Sequence, residues 1–239
     1  MALNAKNAGN GDNFGPRVLQ ANLEPGNYPA RLVQVLDLGL QPQRAFKGDP
    51  KPPMQEIGLT YELVDTFMKD EHGDDLEDKP RWVSEQIPLH NLKADLAKST
   101  KRYNALDPSG EADGDFTRLL EVPCLVTIVN NPGKDGKIYD NIGAVGPMRK
   151  KDADKCPPLV NPAVFFDLDA PDMEVFRKLP KWLQEKIQGN LNFNGSALQK
   201  ALEGAPAAPK GVGKGKPEKA AVEAEDGPPF DADEDNNPY

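Results

Sequence analysis

The sequence is poor in the residues that most enzymes and extracellular scaffolds rely on. It has two cysteines, Cys124 and Cys156, in 239 residues. That excludes a disulfide framework and points to a reducing, cytoplasmic setting. It has two histidines, His72 and His90, with no partner at metal-ligand spacing, so no Cys/His zinc site is expected. No apolar run approaches the roughly 18 residues of a membrane span. The first residues, MALNAKNAGNGDNFG, lack the apolar core of a secretory signal. Phosphate-loop and nucleophile-elbow motifs are missing as well. Gly211-Val212-Gly213-Lys214-Gly215 is glycine-rich but sits in an Ala/Pro/Lys stretch with no strand before it, and reads as linker. Ser196 lies in Asn-Gly-Ser-Ala, not in GxSxG, and reads as a helix cap. His90 reads as a turn residue and Cys124 as an inert thiol in an apolar strand. No catalytic residue, cofactor or metal is assigned.

What is plentiful is turn-forming residues and acid. There are 24 prolines and 21 glycines, and the net charge is −9. The charge is uneven. Glu218 to Tyr239 carries eight acids and one base, and DEHGDDLED (70–78) carries six acids in nine residues. The remaining body is close to neutral. Like-charge blocks of this kind are solvated and loosely ordered. Residues 1–22 are Asn/Gly-rich and read as a flexible segment, 23–203 as one folded domain, and 204–239 as linker and acidic tail.

Within the domain, Asn27–Leu38 reads as a strand whose alternation slips at Val33, which signals a bulge or bend. Residues 39–53 read as a loop. Gln55–Val64 alternates cleanly, with Ile57, Leu59, Tyr61 and Leu63 on one face, as a half-buried strand does. After an acidic loop at 69–79, Pro80–Leu89 is a third strand. Asn91–Leu106 reads as a helix capped by Asn91, and Asp115–Glu121 as a short one. Pro123–Val129 is a buried strand, joined by a turn at 130–136 to a fifth, Lys137–Val145. A short edge strand at 163–168 follows, then helix over 171–188 broken at Pro180, and a last helix at 196–202. Three strands, a helix and two more strands is the order of an OB-fold barrel, so the chain is read as mainly β with minor α: a five-stranded OB-fold-like barrel with its helix between strands 3 and 4, a C-terminal helical segment and a disordered acidic tail. Another small antiparallel barrel or sandwich is the alternative.

OB-folds bind single strands through aromatic platforms and a basic groove. Aromatics stand beside bases at Arg81-Trp82, Lys101-Arg102-Tyr103 and Lys137-Ile138-Tyr139. Trp82 and Tyr139 fall on the less apolar side of their strands. There they either stack on bases or pack under a covering segment, and Tyr103 belongs to its helix's apolar stripe. The candidate DNA contacts are Arg31, Arg81, Trp82, Lys101, Arg102, Lys137, Tyr139, Arg149 and Lys150, with Lys93, Lys98 and Lys151 as further phosphate contacts. The acids of 70–78 do not fit a calcium-loop spacing, and Asp167/Asp169 lack a third ligand.

The tail EAEDGPPFDADEDNNPY combines acids with Phe230 and a terminal Pro238-Tyr239. An acidic tip with a ring and a carboxylate can dock in a small apolar pocket edged with bases, or lie over the protein's own basic groove. Asp231, Asp233, Glu234, Asp235, Pro238 and Tyr239 resemble the tips of bacterial and bacteriophage single-stranded DNA-binding proteins, which usually end in Phe. The stretches Gly26-Asn27-Tyr28-Pro29-Ala30-Arg31-Leu32 and Leu59-Thr60-Tyr61-Glu62-Leu63 look like small proteins of phage replication and recombination clusters. The resemblance implies an OB-fold that coats single-stranded DNA without sequence preference in replication, recombination or repair. It also implies that the tail recruits replication or recombination proteins such as a polymerase, helicase or nuclease. Tyr239 for Phe and the interrupting Asn236-Asn237 depart from that pattern. The chain could instead be an acidic adaptor or DNA-mimicking inhibitor of a host enzyme, given its pI near 4.9. A metal-dependent nuclease built on the Asp pairs is the third reading. Homo-oligomerisation, and whether residues 163–203 join the barrel or cover its binding face, stay open.

Overall fold

The computed structural model describes residues 20–45 and 47–204. Most of the segment 1–22, and all of the linker and tail beyond Gly204, lie outside the described residues. The described residues form six strands: β1 (Gly26–Gln41), β2 (Met54–Lys69), β3 (Asp75–Pro88), β4 (Pro123–Pro132), β5 (Ile138–Pro147) and β6 (Val164–Phe166). Helix α1 (Lys98–Leu106) lies between β3 and β4. Helices α2 (Lys150–Ala153), α3 (Met173–Lys178), α4 (Lys181–Gln188) and α5 (Ala197–Gly204) follow β5.

The sheet runs β3-β2-β1-β4-β5, with β6 added beside β1. β1 is the central strand. It pairs antiparallel with β2 over 30–41 along one edge. Its other edge is shared between β4, antiparallel over 26–31, and β6, parallel over 34–36. The ends of this path, β3 and β5, approach each other but share no backbone ladder. The sheet is therefore open, and a barrel closed by hydrogen bonds is not formed. Side chains span the seam instead. Arg81 of β3 reaches Asp140 of β5 at 3.3 Å. Arg102 of α1 donates Nε and Nη2 to the two oxygens of Glu85 on β3, at 2.7 and 3.1 Å, and Nη2 to the Ile142 carbonyl of β5 at 3.3 Å.

The slip at Val33 is a bulge, with the β1–β2 register shifting between Leu32 and Gln34. It divides the hydrophobic residues of β1 between two cores. Ala30, Leu32 and Val35 join Leu59, Tyr61, Leu63, Val83, Ile87, Tyr103, Leu106, Phe116, Val126 and Ile128 on the inner face, under α1. Leu36 and Leu38 turn to the outer face and pack with Phe166, Phe176, Leu179, Leu183, Ile187 and Leu198 of β6 and α3–α5. Gly58 of β2 lies against the two leucines: a Cβ there would meet Leu36 and Leu38 at 3.5–3.7 Å, ordinary van der Waals contact. A second shift, between Asp37 and Gly39, lets the chain lean on the helical layer. Gly39 has φ +79°, and a Cβ on it would lie 2.6 Å from the Asn190 side chain.

Several expected boundaries move. β2 is not half-buried: residues 56–64 are buried on both faces, because the C-terminal segment covers the outer one. The acidic loop shrinks to a turn at 70–74. Asp70 accepts the His72 and Asp74 N–H groups there, Gly73 takes φ +88°, and β3 begins at Asp75, which pairs with Lys69. The expected helix over 91–106 starts only at Lys98. Asn91 caps a local turn, accepting from Lys93, while Thr100 bonds the Asn91 carbonyl and Ser99 accepts from His90. That competition leaves Leu92 and Leu96 exposed. Asp115 caps a single 3-10 turn at 116–119. Pro180 separates α3 from α4, and Ser196 accepts the Gln199 N–H at the start of α5, as read from the sequence. Among the described residues no helix is long and apolar enough to cross a membrane.

Breaking one side of a buried ion pair leaves an uncompensated charge, typically at a cost of about 3–5 kcal/mol. Arg102→Met should lower unfolding stability by that amount in denaturant titration, and Arg102→Met with Glu85→Leu should recover most of it. Equal losses in the single and double variants would show that the cost does not come from an uncompensated Glu85 charge.

Asp37 gives a pH test. Burial raises its carboxyl above the ordinary 3.8, opposed by the Gly39 N–H and the Gln55 amide and assisted by Asp167 and Asp169. The folded chain holds this proton more tightly than the unfolded one, so stability falls as pH rises from the ordinary value through the raised one. Asp37→Asn keeps an oxygen for both donors. It should stabilise the protein at pH 7 and lose that advantage near pH 3. A thermal-melt gain that persists unchanged at low pH would contradict this.

Candidate nucleic-acid interface

The outer face of β1-β2-β3 is built in cross-strand rows. Arg31, Glu62 and Trp82 form one row, Gln34, Thr60 and Ser84 the next, and Leu36, Gly58 and Gln86 the third. The third row disappears under α4, where Lys186 bonds Gln86 at 2.6 Å and pairs with Glu56 at 2.7 Å. The middle row is a polar ladder. Thr60 donates to Gln34 at 3.1 Å and lies 3.0 Å from the Ser84 hydroxyl, which faces solvent.

The first row is held by an extended strap, residues 156–162. Arg31 donates to the carbonyls of Cys156, Pro157 and Glu121 at 2.8, 2.6 and 2.5 Å. Glu62 is wholly buried, yet its carboxylate is fully used. It accepts from Val160 N at 2.6 Å, Asn161 N at 3.3 Å, Asn161 Nδ2 at 2.7 Å and Trp82 Nε1 at 3.0 Å. Cross-strand neighbours of opposite charge thus each bind strap backbone. A buried carboxylate is tolerated only with donors of this number. Trp82 keeps 43% of its surface exposed beside this anchor.

The remaining predicted contacts do not gather into one groove. Arg81 is mostly buried at the seam, donating to the Ala21 carbonyl at 2.9 Å as well as to Asp140. Asp140 also accepts from Leu23 N, and Asn130 donates to the Leu23 carbonyl, so residues 20–23 are laced across the open edge. Arg102 is buried with Glu85. Burial works against its charge, but the carboxylate outweighs it and raises the guanidinium further. Arg31, Arg81 and Arg102 each spend guanidinium donors on acceptors within the fold. Lys101 is exposed on α1. Lys137 and Tyr139 belong to the β4–β5 hairpin tip. The Tyr139 hydroxyl donates to Asp135 at 2.7 Å, and its ring closes over Gly133. That hydroxyl, the Lys137 N–H and the Lys137 charge hold the Asp135 carboxyl below its usual range. Arg149 is exposed and pairs with Asp152 at 2.6 Å, and Lys150 is exposed on α2. Phe230, Asp231, Asp233, Glu234, Asp235, Pro238 and Tyr239 lie outside the described residues.

Burial pushes the Cys124 thiol up to about 12, which leaves no thiolate for chemistry. Among the described residues no three His, Cys, Asp or Glu side chains converge as metal ligands. Asp167 is turned to its own loop, accepting the Asp169 N–H. Glu62, Glu85 and Asp140 were not singled out from the sequence. Glu85 was readable in principle, as the one acid between Val83 and Ile87 on an apolar face. Glu62 gave no such signal on a face already polar. No protein-family model, curated protein or solved structure matches this chain.

Arg81→Ala removes one seam bridge and frees the Ala21 carbonyl. It should cost about 1–3 kcal/mol in denaturant unfolding. Lys101→Ala, on the exposed side of α1, should stay within about 0.5 kcal/mol of the parent. Equal effects at the two positions would contradict the assignment of Arg81 to the scaffold.

Proposed function

We propose that the chain is a single-stranded DNA-binding protein. It coats unpaired strands without sequence preference during replication, recombination or repair, and it recruits replication or recombination proteins through its acidic tail. The body is read as a partly open OB-like barrel. The observation that carries this reading is the strand arrangement. A three-stranded meander shares its first strand, β1, with a two-stranded hairpin, one helix sits between strands 3 and 4, and the two end strands approach each other without a ladder. An oligonucleotide-binding barrel uses this order and binds on the face of its second and third strands. On that face Trp82 offers an exposed indole beside the polar Gln34–Thr60–Ser84 row. Exposed Lys101, Lys137, Arg149 and Lys150 supply the surface cations.

The adaptor reading keeps one specific argument. Three arginines that a DNA-binding groove could use are spent on the fold. Capture of a partner protein that survives nuclease digestion, with no affinity for DNA, would favour it.

The deciding measurement is anisotropy titration of a labelled oligo-dT of about 30 nucleotides at 50 and 200 mM salt. The full chain is compared with a chain ending at Gly204. A few phosphate contacts should weaken binding by about tenfold or more across that salt step. Tail removal should tighten it. No binding at either salt by either chain would end this reading.

A further inference from the structure

Trp82 and the strap are tied to one carboxylate. Of the four donors on Glu62, three come from Val160 and Asn161 of the strap and the fourth is the Trp82 indole N–H. A tryptophan on an open sheet face ordinarily samples several rotamers. Here its polar edge is bonded at 3.0 Å to a side chain that is itself wholly buried and held by three strap donors. The remaining exposed surface of the indole is ring carbon. Val160, 52% exposed, stands on the same anchor. Trp82 and Val160 are thus two residues with exposed apolar side chains whose N–H groups share one carboxylate, next to the Thr60–Ser84 row.

We propose that Glu62 is a positioning residue that fixes Trp82 as a stacking platform for one unpaired nucleobase, with the strap at Val160–Asn161 as the second wall of the subsite. This rests on the single-strand-binding reading above and adds to it the residue that preorganises the platform. The gain is entropic. A ring already locked loses little freedom when a base stacks on it. Glu62 touches no ligand and brings no repulsion to the backbone, since its charge is buried and answered by four donors. The strap contributes shape and not charge: residues 157–162 are Pro157, Pro158, Leu159, Val160, Asn161 and Pro162.

The test uses the full chain with Trp182→Phe, so that Trp82 is the only tryptophan. Affinity for oligo-dT is read by anisotropy, and Trp82 emission is read in the same titration. Saturating oligo-dT should quench Trp82. Glu62→Gln should weaken binding about tenfold, within the range a stacked base is worth. Trp82→Phe keeps a ring but loses the donor to Glu62, and it should weaken binding similarly. In the Trp82→Phe background, Glu62→Gln should then change affinity by less than about twofold, because both changes remove one unit. A strap-holding role alone would leave the Glu62→Gln effect undiminished in that background. If Glu62→Gln fails to fold, the quench and the Trp82→Phe loss decide, since Trp82 is half exposed and tolerates replacement. Binding by anisotropy with unchanged Trp82 emission overturns the platform and leaves the single-strand reading standing. Absence of binding overturns both.

Discussion

The whole sheet depends on how its two unpaired ends are held together, and the Arg102–Glu85 pair does most of that work. β3 and β5 run side by side without a ladder, so their edges carry backbone groups that neither strand satisfies for the other. An Arg fork suits this seam, because one planar group can serve a carboxylate on one strand and a carbonyl on the other. Arg102 does so from α1, and in doing so it fixes the helix against both ends of the sheet. Tyr61 lies in the same core. Tyr61 is wholly buried, and burial, then the Glu85 charge, pushes its hydroxyl well above its usual pKa. Arg81–Asp140 and residues 20–23 repeat the arrangement nearer the hairpin ends. The seam is closed by side chains that a ladder would have made unnecessary.

One bulge decides what the other face can do. With a strict two-residue period, Leu36 and Leu38 would point with Leu32 or stay on a polar face. The shift at Val33 keeps Val35 inward and sends Leu36 and Leu38 outward, where α3–α5 need a floor. A second core forms from a single strand. The outer face is then divided: helices cover its lower rows, the strap crosses its upper row, and the Gln34–Thr60–Ser84 ladder lies between. On this face Trp82 and the Ser84 hydroxyl remain exposed between the strap and the helices.

Much of this was legible in the sequence. The five main strands, the helix between the third and fourth, the slip at Val33 and the break at Pro180 follow from alternation and proline placement, which are local signals. What escaped was long-range. The burial of β2 on both faces depends on a helical layer more than a hundred residues away in the chain. Arg81 and Arg102 looked like surface cations because a cation beside an aromatic has the same local pattern whether it meets phosphate or carboxylate. Arg31 was lost for the same reason, since its acceptors are carbonyls and carbonyls have no residue identity. Glu85 alone carried a visible conflict, an acid on an apolar face, and a conflict of that kind calls for a buried cation partner.

The strap follows a related economy. Pro157, Pro158 and Pro162 have no N–H to place, so its backbone donors are few. Val160 and Asn161 supply donors near the middle, and both go to Glu62. Prolines also reduce the freedom the segment has to lose on docking. Two oppositely charged side chains, neighbours across β1 and β2, therefore suffice to seat it: Arg31 takes its carbonyls and Glu62 its amides. Neither charge needs the other, and neither reaches solvent as a free group. The strap thus closes over the Arg31–Glu62 pair and leaves the Trp82 ring and the Ser84 hydroxyl as the exposed groups of the next two positions on β3.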